Sequence, residues 1–296
     1  MSSSLHNPYQ NATGTWIRGN LHTHCREHSG CASVPLFEGI EKYWGAGARF
    51  LAVTDHDHVT DLQEARRRWP EMIFLEGFEW SKSENVLFIG QTVPPLHARP
   101  FPEALRTGRD LLTIVCHPRP SWVIEYWTVP MILALDPPPV GIEVYNGHYA
   151  GEHRFWRRTN PLYSETWDAL LTSGARLWGF VNDDLHQPSD FGRTFTMACV
   201  RERNEDALLA SLKAGRFYGS TGLLLKEVSV IGSDVHVALE SPAAGRFVGP
   251  GGKTLASNEG TSFEYRAARE AYVRFEAAGE AGRIFLQPFF GRDRSP

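Results

Sequence analysis

Five short runs in this chain each end in histidine or carboxylate: Asn20-Leu21-His22-Thr23-His24, Thr54-Asp55-His56, Glu76-Gly77-Phe78-Glu79, Cys116-His117-Pro118 and Asn182-Asp183-Asp184-Leu185-His186. Imidazole and carboxylate together form a donor set for a divalent metal, and buried ionisable groups are costly unless they are paired or bound to one. His22 and His24 stand two apart, so on extended backbone they project to the same face and can grip one ion. Asp184 and His186 repeat that spacing near the last of the runs. The chemistry such a group performs is activation of water and polarisation of the bond it attacks.

Residues so far apart in sequence can meet only if the runs before them are strands with a common direction. Phe50-Leu51-Ala52-Val53, Met72-Ile73-Phe74-Leu75, Leu111 to Val115 and Leu177 to Val181 are short, apolar and rich in β-branched or aromatic residues, as buried strands are. Val86 to Ile89 and Gly141 to Val144 read the same way. Parallel strands bring their C-terminal ends to one mouth, where the ligands would gather. Helical patterns alternate with the strands. Leu36, Phe37, Ile40, Tyr43 and Trp44 share a face between a Ser33 cap and a stop at Gly45 to Gly47, and further helices are predicted over 59–69 and 162–173. Another runs from an Asn204 cap to Gly215.

This alternation predicts an α/β fold. After Gly222 the texture changes to short alternating strands around Val228 to Val230, Val235 to Leu239, Ser262 to Tyr265, Tyr272 to Phe275 and Arg283 to Leu286, which predicts a small C-terminal antiparallel β-sandwich. Residues 1–15 read as an N-terminal tail, 16–222 as the α/β unit and 223–296 as the β-rich domain. The stretch from His117 to Pro139 reads as a loop or lid over the mouth.

Bulk properties remove several classes of function. The 296 residues are 42% hydrophobic, enough for one large domain with an appendage. Net charge is −4 with lysine and arginine scattered, so no basic stripe is present and no nucleic-acid partner is expected. No window reaches the roughly eighteen apolar residues of a membrane span, and Met1 to Gly14 lacks the pattern of a signal peptide, which predicts a cytoplasmic protein without a membrane partner. Cys25, Cys31, Cys116 and Cys199 are too few for a disulfide framework and read as reduced thiols. The spacing of Cys25 and Cys31 matches no common zinc motif and predicts packing, not ligation.

The order and wording of the histidine and carboxylate clusters resemble the PHP (polymerase and histidinol phosphatase) superfamily of metal-dependent phosphoesterases. The resemblance covers about residues 16–222, and Gly215-Arg216-Phe217-Tyr218-Gly219-Ser220-Thr221-Gly222 is similar to a closing phrase of stand-alone members. It implies a distorted (β/α)7 TIM-like barrel with two or three divalent ions, Zn, Mn or Fe, at its C-terminal mouth. It further implies that His22, His24 and Asp184 hold a first ion, that Glu79 bridges to a second on His117, and that His56 and His186 hold a third. Members with a trailing β-rich domain, grouped with carbaryl-type ester hydrolases, are the most similar. Two departures leave the ion count open. Many members read Ser-Asp-Gly after the histidine pair where this chain has Glu27-His28-Ser29-Gly30, with His28 a candidate third-ion ligand, and no histidine lies between Glu79 and Gly90.

The expected activity is hydrolysis of a small phosphomonoester or phosphodiester by a metal-activated water, with Asp55, His56 and Glu79 as the catalytic candidates. A phosphate would be met by arginine, for which Arg119 and Arg193 are the candidates. Glu143 and Asn146, at the end of Ile142-Glu143-Val144-Tyr145-Asn146, are candidate substrate contacts, as are His148, His153 and Arg154 beyond them. Trp122, Trp127 and Trp156 could wall an aromatic substrate. Two alternatives stand beside this reading: a metal-dependent hydrolase of carboxylic esters, carbamates or similar bonds, and a non-catalytic metal-containing binding protein. No Gly-x-Ser-x-Gly elbow is present for a serine hydrolase.

Overall fold

The computed structural model describes residues 5–10, 12–82, 84–151 and 159–291. The apolar runs form parallel strands β2 (Thr15–Asn20), β3 (Ala48–Val53), β4 (Ile73–Trp80), β6 (Leu112–Val115), β7 (Gly141–Asn146) and β8 (Trp178–Asn182). β1 is the short Leu5–His6, and β5 (Val86–Gly90) lies between β4 and β6 and runs antiparallel to both. Helices α1 (Leu36–Gly45), α2 (Gln63–Arg68), α3 (Phe101–Thr107), α4 (Val129–Leu133) and α5 (Ser164–Thr172) connect successive parallel strands. The result is a mixed α/β fold whose parallel run is interrupted by one hairpin.

Along the sheet the order is β9-β2-β3-β4-β5-β6-β7-β8, where β9 (Phe195–Val200) is antiparallel to β2 and is followed by α6 (Glu205–Lys213) and β10 (Phe217–Ser220). The outer parallel strands β2 and β8 are joined by backbone hydrogen bonds just past their C-terminal ends. There Thr23 and Leu185 form a parallel bridge, His24 N–H donates to the Leu185 carbonyl at 3.1 Å, and Asp184 N–H donates to the His22 carbonyl at 3.0 Å. Gly19 permits the β2–β3 pairing, because a Cβ there would collide with the Phe50 carbonyl and ring. Asn204 caps α6 as its sequence predicts, its side-chain oxygen accepting from Ala207 N–H at 2.8 Å. Ser33 does not cap α1. Pro35 occupies that position, and Ser33 instead donates its hydroxyl to Gln187 and receives no helix N–H.

The β-rich texture after Gly222 becomes β11 (Leu225–Ile231), β12 (Asp234–Gly249), β13 (Lys253–Arg266), β14 (Tyr272–Gly279), β15 (Gly282–Leu286) and β16 (Phe289–Gly291). The sequence predicts a separate sandwich, but the hydrogen bonding is continuous with the N-terminal half, since β15 pairs with β10 and β10 with β9. These strands have an apolar core of their own, in which Val237, Phe247, Phe263, Phe275 and Leu286 are buried together with Leu5, Tyr9 and Tyr218. The N-terminal segment assigned to a tail thus packs into this core: β1 pairs with β16, and the Tyr9 hydroxyl donates to the Phe217 carbonyl at 3.0 Å. A buried ion pair ties the halves together, with Arg274 on β14 donating from Nε and Nη2 to Asp168 on α5 at 2.7 and 2.6 Å.

Candidate metal centre

Each parallel strand that ends in a histidine or carboxylate delivers it to the same rim. His22 and His24 follow β2, His56 follows β3, Glu79 is the penultimate residue of β4, His117 follows β6, and Asp184 and His186 follow β8. All seven side chains fall into overlapping groups whose candidate donor atoms lie within 4.8 Å of one another: His22 with Glu79 and His117, His22 with His24 and Asp184, and His24 with His56 and His186. His22 Nε2 lies 3.4 Å from Glu79 Oε2 and 3.2 Å from Asp184 Oδ1, and His24 Nε2 is at the same two distances. His117 Nε2 is 3.2 Å from Glu79 Oε1, and His56 Nδ1 is 2.9 Å from Glu79 Oε2. Asp184 and His117 adopt positive φ, 53° and 21°, which costs energy in non-glycine residues and clusters at functional sites.

The atoms facing inward are those a cation would take. Glu79 Oε2 and Asp184 Oδ1 are buried and make no hydrogen bond of good geometry among the described residues, their near neighbours being imidazole nitrogens at 2.9–3.4 Å, a state that is expensive unless a positive charge satisfies it. His22 Nε2 and His24 Nε2 face each other at 3.1 Å, so at most one can carry a proton toward the other. A divalent ion accepting both lone pairs resolves that conflict, and the donor set fits one.

A ring of neighbours turns the ligands to this arrangement, as partners of metal-binding histidines do. Glu143 is fully buried on β7. Its Oε1 accepts from His22 Nδ1 at 2.9 Å and Asn182 Nδ2 at 3.0 Å, and its Oε2 accepts from His117 N–H at 2.8 Å and Asn146 Nδ2 at 2.9 Å. The Ser29 hydroxyl donates to Asp55 Oδ1 at 2.6 Å and lies 3.1 Å from His24 Nδ1, which leaves it to accept from that nitrogen. Asn85 donates to Glu79 Oε1 at 3.0 Å, and Asn146 donates to Asp184 Oδ2 at 3.2 Å. Each ligand carboxylate therefore has one oxygen held by an amide and one left open.

The electrostatics follow from putting carboxylates and imidazoles together out of water. Burial opposes ionisation of Glu79 and Asp184, but His22 and its neighbours outweigh it and hold both well below the usual carboxylate range. Burial also works against protonated His22, while Asp184, Glu79 and Glu143 raise it well above the ordinary histidine value. His186 is raised in the same way by Asp184, and His56 to about 10 by Cys31 and Glu79. His24 moves the other way, to about 3, through burial and the charge of His186.

Several residues singled out in the sequence do something else here. Asp55 does not face the cluster: its carboxylate accepts from Cys25 N–H and Sγ, Ser29 Oγ and Thr60 Oγ1 and so holds the loop after β2. Glu143 bonds His22 and His117, and Asn146 bonds Asp184 and Glu143, so both orient the ligands. His28 stacks on His58, with centroids 4.0 Å apart, and joins none of the donor groups. Arg193 donates from Nε to the Ser189 carbonyl at 2.6 Å, and its guanidinium abuts Gly151. Arg119 lines a cavity of about 800 Å³ with Trp122, Tyr163 and Arg246, which none of the seven ligand candidates lines. Trp127 is buried and donates to the Asn85 carbonyl at 3.2 Å. The stretch from His117 to Pro139 contains α4, and His153, Arg154 and Trp156 lie outside the described residues.

Some contributors carried no readable signal. Ser29 and Asn85 are short polar residues whose roles depend on where their neighbours fold. His148, by contrast, is a candidate substrate contact by sequence; in the structure it is a partner of buried Asp190, at 2.9 Å, and its ring lies 4.7 Å from that of His186. Cys31 is exposed; burial raises its pKa, the neighbouring imidazoles of His186 and His56 lower it, and the net position is about 6.

Comparison with known proteins bears on the fold. No family model and no curated protein matches the sequence. A solved two-domain protein from Bacteroides vulgatus, containing a predicted PHP-like metal-dependent phosphoesterase, superposes with a TM-score of 0.56 at 17% identity, over 94% of this chain and 96% of that one. An amidohydrolase from Chromobacterium violaceum, at 16% identity, superposes over 58% of this chain and 88% of its own with a TM-score of 0.42. A lesion-specific endonuclease from Pyrococcus furiosus, at 14% identity, superposes over 67% of this chain and 56% of its own with the same score. The fold is PHP-like, and it gathers a histidine and carboxylate centre able to hold metal at its strand ends.

Proposed function

We propose that this chain is a metal-dependent hydrolase of the PHP superfamily, a phosphoesterase acting on a small phosphomonoester or short phosphodiester, its parallel strands forming a distorted barrel. One observation carries the reading: two buried carboxylate oxygens without a hydrogen bond of good geometry, Glu79 Oε2 and Asp184 Oδ1, converge with the Nε2 atoms of His22 and His24 at 3.2–3.4 Å. His22, His24 and Asp184 would hold one divalent ion, Glu79 and His117 a second, and His56 and His186 a third; Zn, Mn and Fe all suit the donors. Bound there, such ions supply Lewis-acid polarisation of the scissile group and activation of water.

The chain's own residues supply the rest. Glu143 and Ser29 fix the ring orientations of His22 and His24, and the rigid strand ends keep the donors in place without reorganisation. His56 has the most exposed ring of the five histidines, at 29%, so the position it shares with His186 is the one open to solvent and substrate. Adjoining donor groups suit phosphoryl transfer because the charge of its transition state is spread over several oxygens. A small-molecule substrate, no nucleic-acid partner and a cytoplasmic setting complete the reading; they are supported by the scattered charge, and no described helix is long and apolar enough to cross a membrane.

A second reading keeps the metals and changes the bond, to a carboxylic ester or carbamate. It is favoured by the absence, among the described residues, of any lysine or arginine bonded to the seven ligand candidates, and by the rings of Tyr126 and Tyr149 packed 5.8 and 5.3 Å from that of His117. The deciding experiment strips the protein with chelator, reloads it with Mn or Zn, and measures turnover of p-nitrophenyl phosphate, bis-p-nitrophenyl phosphate and p-nitrophenyl acetate. Metal-restored phosphate-ester turnover is expected, whereas turnover of acetate alone moves the assignment to the second reading. Because Arg119 lines a separate cavity, Arg119→Ala should change phosphate and acetate turnover alike. A loss confined to the phosphate substrates would return Arg119 to phosphate recognition.

A further inference from the structure

We propose that Cys116 is a metal ligand, its thiolate joining Glu79 and His117 on the second ion and making that position one for zinc, cobalt or iron(II). The inference rests on the metal centre proposed above and gives one of its positions a chemical identity. Glu79 and His117 alone would give the ion two protein donors, one short of the three that a catalytic site keeps beside its open position. The sulfur of Cys116 belongs to the same donor group: the candidate atoms of His22, Glu79, Cys116 and His117 all lie within 4.8 Å of one another. His22 Nε2 faces His24 Nε2 at 3.1 Å and goes with the first ion, so a carboxylate, an imidazole and a thiol remain for the second. Donors on one tetrahedral ion stand roughly 3.2–3.6 Å apart. His117 Nε2 and Glu79 Oε1 already do, at 3.2 Å, and the sulfur needs to close by no more than about 1.2 Å.

The backbone sets where the sulfur sits. β6 ends at Val115, Cys116 N–H donates to the Asn85 carbonyl at 2.9 Å, and Asn85 Nδ2 donates to Glu79 Oε1 at 3.0 Å, so one residue registers both the thiol and the carboxylate. On extended backbone the neighbours Cys116 and His117 would point to opposite faces. The φ of 21° at His117 breaks that alternation and lets both donors reach one centre. Cys116 and Glu79 are fully buried and His117 is 4% exposed, so little water competes for the ion on this side. The thiol donates to the Ile114 carbonyl at 3.6 Å, a long bond from a weak donor that costs little to give up. On binding, the Cys116 S–H bond breaks, a sulfur–metal bond forms and the proton leaves to solvent. Sulfur ligation would bias this position toward zinc, cobalt or iron(II) and against magnesium or calcium.

The test loads the full chain with cobalt for absorption spectroscopy and with zinc for X-ray absorption spectroscopy, with elemental analysis of each sample, on the wild type, Cys116→Ser, Cys116→Ala and Cys31→Ser. The wild type should show a near-ultraviolet sulfur-to-cobalt charge-transfer band and a zinc–sulfur shell at about 2.3 Å beside nitrogen and oxygen at about 2.0–2.1 Å. Both signals should persist in Cys31→Ser and vanish in the two Cys116 variants. Cys31 is the necessary control because it is the exposed thiol of the four. Bound ions with no sulfur signal, or a signal that survives both Cys116 variants, overturn the sulfur ligand while leaving the metal centre intact. No bound metal under any loading condition overturns both. Should the buried substitutions unfold the chain, the reverse variant decides: with Cys25, Cys31 and Cys199 all changed to serine, Cys116 is the last thiol left. The sulfur signal should remain there at full strength, and its loss from that folded, metal-bound chain overturns the proposal.

Discussion

At the scale of single residues, the centre is built from side chains that each do one half of a job. Glu79 and Asp184 offer one oxygen inward and give the other to Asn85 and Asn146, while Glu143 never faces the centre and sets the angle of His22. Glu143→Gln should therefore leave the chain folded and weaken binding of the ion on His22 about 10–100-fold, read by competition against a metal chelator. Metal affinity unchanged in that variant would mean that Glu143 has no orienting role. The charge balance also fixes a pH dependence. In the ion-free chain His22 and His186 are raised well above their ordinary value and His56 to about 10, so ions entering at neutral pH must displace protons, whereas Glu79 and Asp184 are already ionised. Affinity should rise with pH from neutrality up to about pH 10, where His56 loses its proton, with proton release on binding visible by calorimetry in buffers of different ionisation enthalpy. A flat profile would contradict the protonated histidines.

At the scale of elements, the rim works because adjacent strands end in register. β2 and β3 pair with Gly19 opposite Phe50, and past their ends Thr23 is bonded to Thr54 and bridged to Leu185. A side chain at Gly19 has no space, since the obstacle includes the Phe50 backbone carbonyl as well as its ring. Gly19→Ala should destabilise the fold by about 1–3 kcal/mol, and it should lower metal affinity together with stability because the same pairing positions His22. Denaturant unfolding and metal titration of one preparation measure both, and a loss of stability with unaltered metal binding would show that the rim does not depend on this strand pair. The elements were legible where periodicity is strong: the buried runs and the Asn204-capped helix stand where their patterns place them. β9 and the reversed direction of β5 were not legible, because an apolar run does not reveal which neighbour it pairs with or in which sense.

At the scale of the whole molecule, the C-terminal strands are bolted to the α/β half by Arg274. It bonds Asp168 on α5 through two nitrogens and Glu276 on its own strand at 2.5 Å, and it is fully buried. Arg274→Ala would leave those carboxylates without their shared cation and should cost about 3–5 kcal/mol in urea unfolding. Burial opposes ionisation of Glu276, but Arg274 and Arg246 hold it below the ordinary glutamate value. A carboxylate lowered by folding contributes stability that is present above its unfolded pKa and lost as pH falls through the folded one, so the penalty of Arg274→Ala should shrink in acid. A penalty independent of pH would assign the effect to packing alone. By itself the sequence determined the strands and the donor residues at their ends. Apolar runs ending in His22, His24, Glu79, His117, Asp184 and His186 specify strands that carry a metal donor set, because run length and residue type are local properties. Tertiary structure decided what those residues do for one another. That Asp55 ties down the loop beside His24, that Glu143 and Asn146 bond the ligands, that Arg119 lines a separate cavity and that Arg193 bonds the Ser189 carbonyl depends on which strand ends and loops lie side by side in space. Hydrogen bonds and coordination act over about 3 Å, a distance that residues more than a hundred positions apart acquire only when the chain has folded.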